Sequence, residues 1–362
     1  MKKISNVEVS SLVVIICISL YSCINITLLK NNTGIDSWLT ILIANVIGLI
    51  PVLILLYISK YKPYLSLPDK INSLYPKTGK LINMLFNLLI AVFAITILYN
   101  TSNFVISQLL YHTPATTIAI LLVVLSTYHL SKGIDSICRV NFLLTIFNTF
   151  LFLISFLSLA NTININNYYP LLKTPTFNIL LTSLKLMANS TLPLLLILCI
   201  PRNDVSNPQK YPRDIIKAYL FSSIISFIII TALYGILGPY LINIFEYPEY
   251  MVLKKVTILG FLERIENIVA NQWLIGGYLY FTIILYYLSS SLQKKEKPNN
   301  ITPIIISTIL LIITFYIFKN NTIFNNYLKN IFHYISLSFI LFYLLITIKI
   351  FLQENKSIHR QL

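Results

Sequence analysis

LINMLFNLLIAVFAITILYNTSNFVISQLL, residues 81–110, runs for thirty residues without one charged side chain. An α-helix rises about 1.5 Å per residue and a bilayer's hydrocarbon is about 30 Å thick, so a span needs roughly 20 apolar residues. This stretch exceeds that length and has room to tilt or bend. Segments of the same character recur at 9–29, 37–58, 114–130, 139–160, 178–200, 215–238, 270–291, 301–318 and 333–352. With 81–110 they make about ten predicted transmembrane helices in a single all-α domain over residues 1–362, and no soluble domain fits between them. Residues 111–113 leave so little chain before Pro114 that the third and fourth spans form a tight hairpin. The opening MKKISNVEVSSLVVIICISLYSCINITLL starts like a secretory signal, but its apolar run is too long and lacks a small-residue cleavage site. It is expected to stay as the first span.

Composition leads to the same class. The chain is 56% hydrophobic and only 11% charged, with a mean hydropathy of +0.77, which cannot cover a soluble surface. The net charge of +15 comes from Lys and Arg lying between the apolar runs, so it reports topology and does not point to nucleic acid. With the first residue inside, 19 of the 27 basic residues fall on one face of the membrane and 7 on the other, leaving Lys185 within a span. Cytoplasmic loops carry the excess of Lys and Arg, so both termini are expected in the cytoplasm. Two connections are large: a basic cytoplasmic loop at 59–80 and an outer segment at 239–269. In the latter, VLKKVTILGFLERIENI repeats apolar positions at three and four, as an amphipathic helix on the outer surface or capping the bundle would.

Enzyme chemistry finds little to rest on. None of the 12 acidic residues falls clearly inside a span, His112, His129, His333 and His359 sit near span edges or in the tail, and no nucleotide, zinc-protease or hydrolase motif occurs. A membrane-embedded transferase would have only Asp135 with Arg139, or Glu263 with Glu266. Cys17, Cys23, Cys138 and Cys199 have no metal-ligand spacing, so free thiols, no metal and no cofactor are expected.

Two spans are interrupted by polar residues: the first at Tyr21-Ser22-Cys23-Ile24-Asn25, the sixth at Met187-Ala188-Asn189-Ser190-Thr191-Leu192-Pro193. Ten spans divide into five plus five, which makes the first and sixth equivalent in an inverted repeat. Paired breaks of this kind expose amides and carbonyls near the midplane, where small ligands bind. Tyr21, Ser22, Cys23 and Asn25 are therefore expected to face Asn189, Ser190 and Thr191, with Tyr99 and Asn103 of the third span nearby. The alternative is that these side chains join helices and Pro193 only kinks its own. Lys185 is either a cation facing the ligand or a coupling-ion position, or a side chain reaching the outer headgroups. Trp273 and the tyrosines near span ends are expected to anchor at the membrane interface.

Several segments resemble the B-type subunit of spore germinant receptors, the GerAB/GerKB family of germination permeases. They include ISNVEVSSLVVII, Gly34-Ile35-Asp36-Ser37-Trp38, YLSLPDKINSLYPKTGKLIN with LLYHTPATTI, and Lys132-Gly133-Ile134-Asp135-Ser136-Ile137-Cys138-Arg139-Val140-Asn141. The most specific are Tyr247-Pro248-Glu249-Tyr250, then Gly260-Phe261-Leu262-Glu263-Arg264-Ile265-Glu266, then Trp273. The resemblance covers nearly the whole chain. It implies a LeuT-type fold of the amino acid-polyamine-organocation superfamily, with first and sixth helices broken around a ligand pocket. It also implies a sensor of small germinants such as amino acids, working with A-type and C-type subunits in the spore inner membrane. The glycines expected in the first-span break are absent, and the sixth-span break has none. A secondary amino acid transporter is the rival reading.

Overall fold

The computed structural model of the chain describes residues 3–20, 24–254, 266–293 and 301–358. Its elements are helical: α1 (Asn6–Leu20), α2 (Ile26–Asn32), α3 (Ser37–Ile47), α4 (Leu49–Lys60), α5 (Leu67–Leu74), α6 (Gly79–Gln108), α7 (Ala115–Ser131) and α8 (Ile134–Leu159) come first. Then follow α9 (Thr176–Ser190), α10 (Tyr211–Ile244), α11 (Pro248–Lys254), α12 (Glu266–Leu292), α13 (Ile301–Ile317), α14 (Asn321–Tyr327), α15 (His333–Leu337) and α16 (Phe339–Ile358). Among the described residues, seven helical stretches are long and apolar enough to cross a membrane, and Asn6–Ser19, Ala115–Ser131 and Ile301–Ile317 are shorter apolar helices. Together they occupy the ten predicted places.

Exposure follows the solvent. Leu81, Met84, Leu85 and Leu88 of α6 point outward while Phe86, Ile90 and Phe93 are buried, because the outer face of this bundle meets lipid. The centre is built on α1, which packs against α8, α10 and α12, with α6 against the far side of α12. Small residues set the spacing there. A Cβ at Gly276 would lie 2.7 Å from Ser19 Oγ, and one at Gly277 would run into Thr101, so both glycines let α12 approach α1 and α6 closely.

Two boundaries differ from expectation. The tenth span begins at Asn321, not 333, and is continuous through a π-helical turn at Leu328–Phe332 to Asn355. Its start is fixed by Asn320, whose side chain accepts from Ile323 N at 2.9 Å. The outer segment is a cap folded into the bundle. The helix α10 kinks at Gly238, where φ is +69°, and the chain returns as α11 with Tyr247, Tyr250, Val252 and Leu253 buried. The remainder of the predicted amphipathic helix, residues 255–265, lies outside the described residues.

Candidate functional site

The sixth span changes character where the sequence is polar. After α9 ends at Ser190, the chain tightens into a 3-10 stretch, Leu192–Cys199, because Pro193 lacks the N–H that would continue the α-helix from the Asn189 carbonyl. In the first span, α1 and α2 flank the predicted interruption. Tyr21, Ser22 and Cys23 lie outside the described residues.

Asn25, just before α2, and Asn189, near the end of α9, meet. Asn189 Nδ2 donates to Asn25 Oδ1 at 2.9 Å and to His333 Nδ1 at 2.8 Å. Because the amide nitrogen only donates, His333 Nδ1 accepts and its proton sits on Nε2. All three residues are buried, with exposures of 0%, 0% and 1%. Among the described residues, three polar atoms remain without partners: Asn25 Nδ2, Asn189 Oδ1 and His333 Nε2. Leaving a buried donor or acceptor unpaired costs about 1–3 kcal/mol each. The cluster thus offers two sets of N–H donors and one carbonyl acceptor to a partner of complementary polarity.

The other expected residues disperse. The Ser190 hydroxyl donates back to Leu186 O at 2.8 Å, and the Thr191 hydroxyl is 3.4 Å from it. Lys185 is half-buried, with Nζ 5.2 Å from the ring centre of Tyr334, the neighbour of His333. Tyr99 packs among Phe315, Phe318 and Phe324, and Asn103 Nδ2 donates to Tyr247 Oη at 2.8 Å and Asn321 Oδ1 at 3.1 Å. Trp273 is no interfacial anchor: it is 2% exposed and stacked on Phe104 with ring centres 4.5 Å apart. Sequence reasoning missed His333 because its span was begun at that residue.

The motif residues mostly brace the bundle. Asn141 Nδ2 donates to Ser11 Oγ at 2.7 Å, and Arg139 lies 3.9 Å from Glu8, both joining α8 to α1. Gly133 has φ +85° and starts α8, whose first turn holds Asp135, while Lys132 covers the Tyr128 ring. Asp36, fully buried, accepts from Leu172 N and Thr174 N, each at 2.8 Å, and fastens the connection leading into α9. Pro248 opens α11, and Glu266 opens α12; Glu263 and Arg264 lie outside the described residues.

The outer side of the cluster holds a small polar chamber lined by Thr27, Asn100, Glu246, Tyr247, Glu249 and Asn325. Glu249 lies outside the spans, as the sequence predicts for the acidic residues, yet it is buried, being 8% exposed. Burial pushes its carboxyl up to about 8, against smaller opposing effects of a backbone N–H and of Lys30. Lys30 Nζ donates to Phe245 O at 3.0 Å, tying the end of α2 to the start of the cap.

With this geometry the sequence comparison becomes informative. The family model described as spore germination protein matches residues 3–323. The chain belongs to the spore germination protein family. Among curated proteins, none matches it in sequence. In structure, this family member resembles a mutant manganese transporter of Eremococcus coleocola, at 13% identity with a TM-score of 0.58 over 94% of this chain and 78% of the transporter. At that identity the likeness establishes the fold alone, a LeuT-type arrangement.

Proposed function

We propose that the chain is the B-type subunit of a spore germinant receptor, binding a small polar germinant, an amino acid or similar metabolite, between α2 and α9. The observation that carries this reading is the cluster of Asn25, Asn189 and His333 with three buried, unpartnered polar atoms. Asn25 Nδ2 and His333 Nε2 suit a carboxylate, and Asn189 Oδ1 suits an ammonium group. Freed backbone at the breaks adds donors and acceptors of the same kind. Lys185 supplies positive charge on the outer side.

In this reading the germinant arrives from outside through the polar chamber and its occupancy alters how α2 sits under the cap. A-type and C-type subunits then receive the change, with the basic 59–80 loop and the 239–269 segment as docking surfaces. The setting is the spore inner membrane with both termini cytoplasmic, and neither a cofactor nor covalent chemistry is involved. The test is a germination dose–response with Asn189→Ala: the germinant concentration needed should rise about tenfold or more while protein level and complex assembly hold. Reduced abundance at unchanged sensitivity would make the cluster packing only.

A second reading, secondary transport of the same ligand, is favoured by the transporter fold. Uptake of labelled amino acid into proteoliposomes separates the two: a receptor binds without accumulation, a transporter concentrates its ligand.

A further inference from the structure

A cavity lies apart from the polar cluster. It is about 110 Å³ and lies between α1, α8, α10, α11 and α12, and neither Asn25, Asn189 nor His333 lines it. Its walls are Ile15 and Ile18 of α1, Phe152 and Phe156 of α8, and Ile229 and Leu233 of α10. Its roof is α11, through Glu249, Val252 and Leu253. Among its polar lining, the Thr145, Thr149 and Ser155 hydroxyls donate back to carbonyls of α8. Glu249 Oε2, Trp273 Nε1 and Asn148 Oδ1 are buried without hydrogen-bond partners among the described residues, the indole standing beside the carboxyl. Glu249 and Trp273 also line the outer polar chamber, so the same two side chains form the wall between chamber and cavity.

We propose that this cavity is a second binding site, for a compact uncharged molecule with an apolar body and one hydroxyl-like group, reaching it from the outer chamber. Apolar cavities of similar size stay dry and take up small hydrophobic molecules: one of about 150 Å³ holds benzene. A charged ligand would lose its hydration against these walls with nothing to replace it. The unpartnered atoms select for one hydrogen-bonding group, because Glu249, Trp273 and Asn148 supply both donor and acceptor. The burial that keeps the Glu249 carboxyl protonated near neutral pH makes it a donor as well as an acceptor. A molecule in this place touches Ile18 and Ser19, in the last turn of α1, and the α11 roof at once. Its occupancy therefore bears on the first helix without competing for the germinant cluster.

The test uses Trp273 as the reporter. In the full-length protein carrying Trp38→Phe, reconstituted in lipid nanodiscs, a bromine-substituted short-chain alcohol is titrated and Trp fluorescence is followed. Saturable quenching is expected, abolished by Ala232→Phe or by Thr149→Phe, which fill the cavity from opposite walls. Glu249→Gln should keep the affinity and Glu249→Leu weaken it about tenfold, the loss of one hydrogen bond. Thermal unfolding of each variant shows that it is folded. Quenching that rises linearly with the alcohol and ignores both filling variants would mean partition into the bilayer and would overturn the proposal. So would quenching by lipids brominated on their acyl chains that disappears in the filling variants while the alcohol has no saturable effect, since a lipid tail would then be the occupant.

Discussion

The amide–imidazole cluster and the charged cluster beneath the cap adjoin opposite ends of the same short helix, α2, through Asn25 just before it and Lys30 in its last turn, yet they meet burial differently. Asn25, Asn189 and His333 are uncharged groups that bond to one another and keep atoms to spare. Lys30, Glu246 and Glu249 carry ionisable groups, and the deepest, Glu249, answers burial by holding its proton. The first arrangement is neutral and short of partners, which suits ligand recognition. The second stores its cost in a protonation equilibrium, so it responds to pH and to the position of the cap.

The largest effect is expected at the first cluster. His333→Phe removes the acceptor for one Asn189 proton and the Nε2 donor together, and should abolish the germination response at any practicable germinant concentration. The thermal midpoint should change little, because an aromatic ring of similar size still packs by Phe332 and Tyr334. A normal dose–response would move the ligand elsewhere.

Glu249→Gln probes the second cluster. The folded carboxyl binds its proton up to about pH 8, whereas in the unfolded chain it ionises near pH 4.5, so stability falls as pH rises from about 4.5 to about 8. The amide has no such titration. Thermal melts across that window should therefore show a flatter pH dependence for the variant, with the gain in midpoint greatest at pH 8. Parallel curves would mean that the carboxyl is hydrated.

A counterpart on α5 sharpens the contrast. Lys70, 1% exposed on α5, donates to Ile58 O at 3.0 Å and Ser59 O at 3.2 Å, filling the carbonyl end of α4, and burial pushes its pKa down to about 8. Lys70→Met leaves two carbonyls unpaired and should cost about 1–3 kcal/mol in unfolding free energy. At the small end, Arg139→Ala should cost under about 1 kcal/mol, since the guanidinium is half exposed and 3.9 Å from Glu8.

Much of this was legible in the sequence, and the exceptions share a cause. Asn25 and Asn189 stand out because a polar residue inside an apolar run must find a partner or a purpose. His333 did not, since Asn325, Asn326, Lys329 and Asn330 lower the hydropathy of the turns before it and hide that the helix is already under way. The buried series Phe324, Leu328, Phe332 and Ser336, spaced by four, was the available signal. Glu249 and Trp273 were read as outer-surface and interface residues because hydropathy locates spans and says nothing of loops that fold back. The close approach of α12 to its neighbours was carried by Gly276 and Gly277, whose meaning depends on Ser19 and Thr101 across the interface.

The central claim is that a small zwitterionic or polar ligand is held by Asn25, Asn189 and His333. The direct measurement is the shift in thermal midpoint of the purified receptor complex with a panel of single amino acids, for wild type and for Asn189→Ala. At least one amino acid should raise the wild-type midpoint in a saturable way, with an apparent Kd at least about tenfold weaker in the variant. An amino acid that stabilises both proteins with the same concentration dependence would contradict the claim.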